Sequence, residues 1–398
     1  MSGTRAPLTA TPTMAAHVRA RAQHTPDAVA VRSKRRGVWH EVTWARYWHD
    51  IESTARMLLA LGLMPGEHVV ILSENRYEWL LADAATVAAG GVTVAIDAAV
   101  APPVVRDVVT RSSPTVVIVE NQESLDTILP VVDDLPGPAH IVYLDARGID
   151  DRYTRPRLHH WEAVIAGTPQ EASSDTVIER MDAVRPTTVV ALLPDLDAAP
   201  PAGDVALSAG DVAARVARLR EVDITPAPSE RDMVLPFTSL ADRDERLFAG
   251  WLNAAAGVQV HFAEALSTVR RDLHAVQPTI VFAPAHVWQR LVADVDRRLA
   301  GASRLKRWMW GAWRPVALRV GAARAAGDGL PPLLRVQAVA GDVVVFRALR
   351  ARIGMRHVRS AAWTRSLPTE TQHLLRGIGV PLFRVADDRS ETGSPWHD

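Results

Sequence analysis

The chain has 398 residues, enough for two or three domains or one large α/β unit, and its 48% hydrophobic and 23% charged residues exclude disorder over the whole length. Forty-five basic residues balance 45 acidic ones, so no global field draws the chain to nucleic acid. Cysteine is absent, which excludes disulfides, thiolate metal sites and cysteine nucleophiles and fits a cytoplasmic setting. The start, Met1 to Met14, is polar and lacks the apolar core of a secretory signal. The longest apolar stretch, Leu80 to Val100, is interrupted by Asp83 and Asp97, so no membrane span is expected.

In chain order, short apolar runs alternate with segments of helical period. Ala28 to Ser33 reads as a strand and Trp44 to Leu61 as a helix, with Trp48, Ile51, Ala55 and Leu58 on one stripe and Thr43 as N-cap. His68 to Ser73 reads as a buried strand, and Asn75 to Ala89 as a helix stopped by Gly90-Gly91. Val92 to Ile96, Thr115 to Glu120 and Ile141 to Leu144 are further strands, with a helix at Pro102 to Thr110. Asp145 to Ser174, polar and carrying Gly148, Pro156 and Gly167, reads as a connecting region. Strands resume at Thr187 to Leu193, Met233 to Leu235, Val258 to Phe262, Thr279 to Phe282 and Pro381 to Val385, and helices at Ala285 to Leu299 and Val343 to Ile353. The rhythm implies parallel strands joined by crossover helices: an α/β fold of two linked, doubly wound lobes. The expected division is a flexible tail over residues 1–12, a first lobe over 13–182 and a second over 183–398.

Specific strings then narrow the reading. Leu61 to Trp79 (LGLMPGEHVVILSENRYEW), Ala88 to Ile96 (AAGGVTVAI), Arg271 to Trp288 (RDLHAVQPTIVFAPAHVW), Phe346 to Gly354 and Leu367 to Val380 occur in one register. The ordered set resembles the large N-terminal domain of adenylate-forming, AMP-binding acyl-CoA synthetases, especially the long-chain fatty-acid–CoA ligases. The resemblance implies ATP, Mg²⁺ and coenzyme A as co-substrates and a fatty acyl chain as partner. Such chemistry needs a donor-rich loop to hold phosphates and cations to stabilise developing charge. It also implies a small C-terminal domain with a catalytic lysine, which a chain ending at Asp398 is expected to lack.

The site strings depart from the family pattern. Its phosphate loop resembles YTSGTTGxPKG. Here Leu193 to Gly203 reads LPDLDAAPPAG, in which only Pro201 and Gly203 match. Leu196 and Ala199 replace the first two glycines, Ala202 replaces the lysine, and Asp195 and Asp197 add anions. At ~4 Å and an effective dielectric of ~20, each like-charge contact costs about 4 kcal/mol before screening. Leu235 to Arg246 resembles LPLAHxxER, keeping Glu245 and Arg246 but placing Asp242 at the histidine. Ser360 to Pro368 resembles the adenine-bordering GxAPL string, with Trp363 and Arg365 as bulky additions expected to fill a nucleotide pocket. Asp387 to Thr392 resembles YGxTE, with Ser390, Glu391 and Thr392 as vestigial ATP-site residues and Glu391 as the Mg²⁺ ligand only if the chain is active. The only lysines, Lys34 and Lys306, fall away from the family's lysine positions.

Two further segments carry chemistry-bearing residues. His159-His160 with Glu162 has no metal-ligand spacing and reads as surface histidines in a linker. Ser303 to Arg324 combines Trp308, Trp310 and Trp313 with Arg304, Lys306, Arg307, Arg314 and Arg319, a pattern that suits either tryptophans packed between lobes or a peripheral membrane helix, and Gly311 and Pro315 are expected to interrupt a helix there. The leading expectation is a catalytically inactive or impaired synthetase-like protein that binds an acyl chain or a protein partner. An active ligase with altered geometry and a peripheral membrane scaffold remain open alternatives. No catalytic residue is assigned.

Overall fold

The computed structural model describes residues 13–168, 174–194, 204–327, 329–364 and 366–385. The strands, in chain order, are β1 (Val29–Arg35), β2 (Val38–Thr43), β3 (His68–Leu72), β4 (Val92–Ile96), β5 (Val116–Val119), β6 (His140–Tyr143), β7 (Leu158–His160), β8 (Val189–Pro194), β9 (Asp204–Ser208), β10 (Met233–Val234), β11 (Gln259–Phe262), β12 (Ile280–Phe282), β13 (Ser360–Trp363) and β14 (Leu382–Arg384). The chain divides into two compact units. One comprises Met1–Glu221, Pro228–Arg231 and Ser239–Leu266, the other Val222–Ala227, Asp232–Thr238 and Ser267–Asp398. The boundary expected at residue 182/183 therefore falls inside the first unit, because β8 and β9 complete that unit's sheet.

That sheet has seven strands in the order β7-β6-β5-β3-β4-β8-β9, parallel except for the antiparallel pair β8–β9. In register, Val70 sits between Val94 of β4 and Val117 of β5. These strands are buried on both faces, which is why they are written as unbroken Val/Ile runs rather than as an alternation. The chain runs from β3 to its neighbour β4, then crosses back to β5 on the other side of β3. Strand order thus reverses beside β3, the place where open α/β sheets form crevices at the strands' carboxyl ends. A second small sheet places β1 between parallel β11 and antiparallel β2.

The helices follow their sequence signals closely. Thr43 caps the Trp44–Ala60 helix, its hydroxyl accepting from the Arg46 amide at 3.3 Å, and Ile51, Ala55 and Leu58 are fully buried. The Tyr77–Ala88 helix is buried except at Glu78, and Gly90, at φ +84°, turns the chain out of it. The supposed connecting region is not structureless: β7 adds an edge to the sheet and Trp161–Gly167 forms a helix.

In the second unit, β12, β13 and β14 pair in parallel, with Ala361 between Val281 and Leu382. Trp288, Trp310, Phe346 and Trp363 are buried in its core. The Arg304–Ala326 helix runs through Gly311 and Pro315 without a break, contrary to expectation. Its packing overrides the local cost of proline: Trp310, Val316, Ala317 and Val320 are all buried on one side. It crosses the Thr369–Gly377 helix so closely that a Cβ on Gly321 would overlap the His373 carbonyl, and one on Gly377 the Ala317 carbonyl. The Val343 to Ile353 segment is also not one regular helix, since a wide π turn at Asp342–Phe346 leads into an α-helix at Arg347–Arg352.

Candidate functional site

The segment that resembles a phosphate loop begins on β8 and connects it to β9. The two strands form an antiparallel stem, with Leu193 opposite Val205 and Pro194 opposite Asp204. Arg111, on the Pro102–Ser112 helix, secures the loop end of the stem. It donates to Asp204 Oδ1 at 2.8 Å and to Asp107 Oδ2 at 3.0 Å. On the far side, Ser208 caps the Ala209–Arg218 helix in a reciprocal capping box with Asp211. The Ser208 hydroxyl and amide both donate to Asp211, holding its carboxyl below the usual aspartate range. The loop itself, with Pro201 and Gly203, lies outside the described residues, as do Arg365, Ser390, Glu391 and Thr392.

Within the Leu235 to Arg246 string, Asp242 at the departure and Arg246 at a match both serve the fold. Asp242 occupies the N-cap of the Arg243–Arg246 turn and accepts from the amides of Asp244 and Glu245 at 2.9 and 3.0 Å. Although Asp242 is an exposed residue, desolvation of its carboxyl, followed by the charge of Asp244, moves that carboxyl upward. Arg246 turns inward and forms a fork with Asp83: its Nε donates to Oδ2 at 2.7 Å and its Nη2 donates to Oδ1. Asp83 Oδ1 also accepts from the Thr93 hydroxyl at 2.9 Å. The Arg246 guanidinium lies 5.4 Å from the Trp79 ring centroid. Sequence reasoning took Asp83 only as a break in an apolar run. A lone carboxylate inside a helix that is buried on every side was the available signal for a paired cation.

Trp363 ends β13 and is buried in the second unit's core. The Arg376 guanidinium stands 5.5 Å from its ring centroid. On the same strand, the Ala362 carbonyl accepts from Trp288 Nε1 at 3.1 Å. The bulky residue written into the adenine-bordering string is thus a packed core residue.

The three tryptophans expected at a membrane separate. Trp308 is 70% exposed. Trp310 is buried, and its Nε1 donates to Asp296 Oδ1 at 2.9 Å. Trp313 is half-buried and meets Phe346 edge-on at 6.3 Å. Trp310 and Trp313 thus pack within the unit, and of the three only Trp308 is left for an outside contact.

His159 and His160 lie on edge strand β7 rather than in a linker. His159 Nε2 is 2.9 Å from His140 Nδ1, with the rings stacked at 5.2 Å. Burial lowers both pKa values, and for His140 the charge of His159 adds to it. Among the described residues no group of three His, Asp or Glu side chains is placed to hold a metal ion, and no helix is long and apolar enough to cross a membrane.

Sequence reasoning also passed over an open cleft of about 1030 Å³ in the first unit. Glu120, Asn121 and Asp145 line it at the carboxyl ends of β5 and β6, and Arg106 and Arg147 line it as well. Its charges are largely spoken for: Arg147 binds Asp145, Arg106 binds Asp134, and Glu120 accepts from the Ser73 hydroxyl and the Glu74 amide.

Comparisons with known proteins place this geometry in a family setting. Residues 18–191 match the AMP-binding enzyme family. The chain is 24% identical over 384 residues to the long-chain-fatty-acid–CoA ligase ACSBG2 of Xenopus laevis, covering 93% of this chain and 50% of that one. It is 25% identical over 363 residues to the long-chain-fatty-acid–CoA ligase FadD15 of Mycobacterium tuberculosis, covering 90% and 57%. The chain thus spans about half the length of the curated relatives it matches. Among solved structures, the fold resembles a long-chain-fatty-acid CoA ligase from Rhodopseudomonas palustris, titled as putative, with a TM-score of 0.62, 16% identity and coverage of 92% and 73%. The N-terminal domain of FACL13 from Mycobacterium tuberculosis gives a TM-score of 0.60, 15% identity and coverage of 94% and 75%.

Proposed function

Starting from a chain whose residues 18–191 are of the AMP-binding type and whose relatives are long-chain-fatty-acid–CoA ligases, we propose a degenerate synthetase-like protein that does not hold ATP. It keeps the fold for binding an acyl chain or a protein partner in lipid metabolism. One observation carries the proposal. The connection between Pro194 and Asp204, bounded by the β8–β9 stem, contains Asp195 and Asp197 and neither lysine nor arginine. A triphosphate needs amide donors on a yielding glycine backbone and a neutralising cation. This connection has one glycine, Gly203, and two carboxylates.

Three features support the same reading from the residues that surround the matching strings. Asp242 spends its carboxylate as a helix cap, Arg246 spends its charge on Asp83, and Trp363 fills a core position. Arg246 and Trp363 are buried and Asp242 is an anion, so none of the three offers a phosphate an accessible donor. The residues present therefore do not fit ATP–Mg²⁺.

Thermal-shift titration tests the proposal. A ligand at roughly 100 times its Kd stabilises by about 2.7 kcal/mol. ATP–Mg²⁺ is expected to leave the melting temperature unchanged, while a fatty acid in the series raises it. Stabilisation by ATP–Mg²⁺ comparable to that by an acyl chain refutes the proposal.

A further inference from the structure

The Pro332–Gly341 helix continues through the π turn and the Arg347–Arg352 helix as one helical run. Its inner side packs in the second unit: Ala338 sits with Val316 and Val320, and Phe346 meets Trp313. Its outer side is also apolar. Leu333, Val336, Val339 and Val343 are 62–75% exposed, and Val344 is 49% exposed. Their spacing of three or four residues sets the first four along one helical face. A helix apolar all round is normally covered on all sides, so a row of bare aliphatic side chains marks a face built for contact.

Charge decides what covers it. The chain is neutral overall, yet residues 303–352 hold ten basic side chains against two acidic ones, Asp328 and Asp342. Arg304, Lys306, Arg335 and Arg347 are exposed and make no ion pair among the described residues. Arg335 and Arg347 lie within the same run as the bare valines. An apolar helical face bordered by unpaired cations is complementary to an anionic bilayer: the aliphatic side chains enter the acyl boundary and the guanidinium groups meet lipid phosphates.

We propose that the outer face of residues 332–347, centred on Leu333, Val336, Val339 and Val343, docks this protein onto an anionic lipid surface. The inference is independent of whether the chain binds ATP. It also moves the membrane contact away from the tryptophans, two of which are committed to packing within the unit.

Flotation with phosphatidylcholine vesicles, with and without phosphatidylglycerol, tests this on the full chain. Wild-type protein is expected to float with the phosphatidylglycerol vesicles and to be released as salt is raised. The double variant Val336→Glu/Val343→Glu changes only exposed positions. It is expected to keep the wild-type melting temperature and to lose about tenfold or more in vesicle affinity. The variant Arg335→Glu/Arg347→Glu is expected to lose the preference for anionic lipid. No flotation of the wild type, or unchanged flotation of the valine double variant, overturns the proposal. So does a concentration-dependent dimer in gel filtration that the valine variant dissociates while vesicle binding stays unaffected, because the face would then belong to a second copy of the chain.

Discussion

Replacing Asp83 by Ala removes the only carboxylate that pairs with Arg246 among the described residues. Asp83 is 1% exposed and Arg246 4%, so water cannot take over the lost partner. The change also strands the Thr93 hydroxyl and leaves a guanidinium whose Nη1 already lacks a hydrogen-bond partner, held only against Trp79. Removing one member of a buried ion pair costs about 3–5 kcal/mol. Against a typical total stability of about 5–15 kcal/mol, this is a large fraction. At ~2–4 °C per kcal/mol for a unit of this size, the melting temperature should fall by roughly 6–20 °C. Urea denaturation followed by tryptophan fluorescence measures the effect. The double replacement Asp83→Leu/Arg246→Met should recover most of the loss, since no charge is then left buried. A loss below about 1 kcal/mol in Asp83→Ala would show that the Arg246 charge is satisfied elsewhere and that this motif residue is not a structural tie.

Acid should destabilise the first unit before its carboxylates titrate. His17 and His261 are both lowered to about 4, chiefly by burial, with Arg21 adding to it for His17 and Arg32 for His261. The folded state resists protonation while the unfolded state binds protons below ~6.5, so stability is lost as pH falls from about 6.5 towards 4. Neither ring nitrogen of His261 has a hydrogen-bond partner. Urea midpoints measured from pH 7 to pH 5 should decline in wild type and decline less in His261→Leu; parallel curves would refute this. In the second unit, Gly321→Ala should destabilise by about 2 kcal/mol or more, because the added methyl overlaps the His373 carbonyl where two helices cross. A calorimetric melting temperature within a degree or so of wild type would mean that the crossing is looser than described.

The buried parallel strands were legible because their environment dictates their letters. Val69 to Leu72, Val92 to Ile96 and Val116 to Val119 have no polar side to confuse the pattern except Thr93, which is bound to Asp83. Thr43 was equally legible, since an N-cap is a local hydrogen bond. Edge elements were not. β7 is three residues long with two histidines, and β2 is largely exposed, so neither carries a burial pattern. The long helix through Gly311 and Pro315 was misread because both residues break helices locally, while the burial that holds it comes from residues distant in sequence. At the candidate site, the departures from the family strings were legible residue by residue. The internal uses of Asp242 and Arg246 were not, because a motif match does not reveal whether a side chain points at a ligand or into its own fold.

Fatty-acid-dependent ATP–pyrophosphate exchange requires the triphosphate to be both held and cleaved, so it reads loss of the ATP site without an intermediary. With Asp195 and Asp197 in the connection and no lysine there, exchange is expected at the level of a blank without fatty acid, across the whole series of chain lengths. Exchange that rises above that blank and saturates with fatty acid would contradict it.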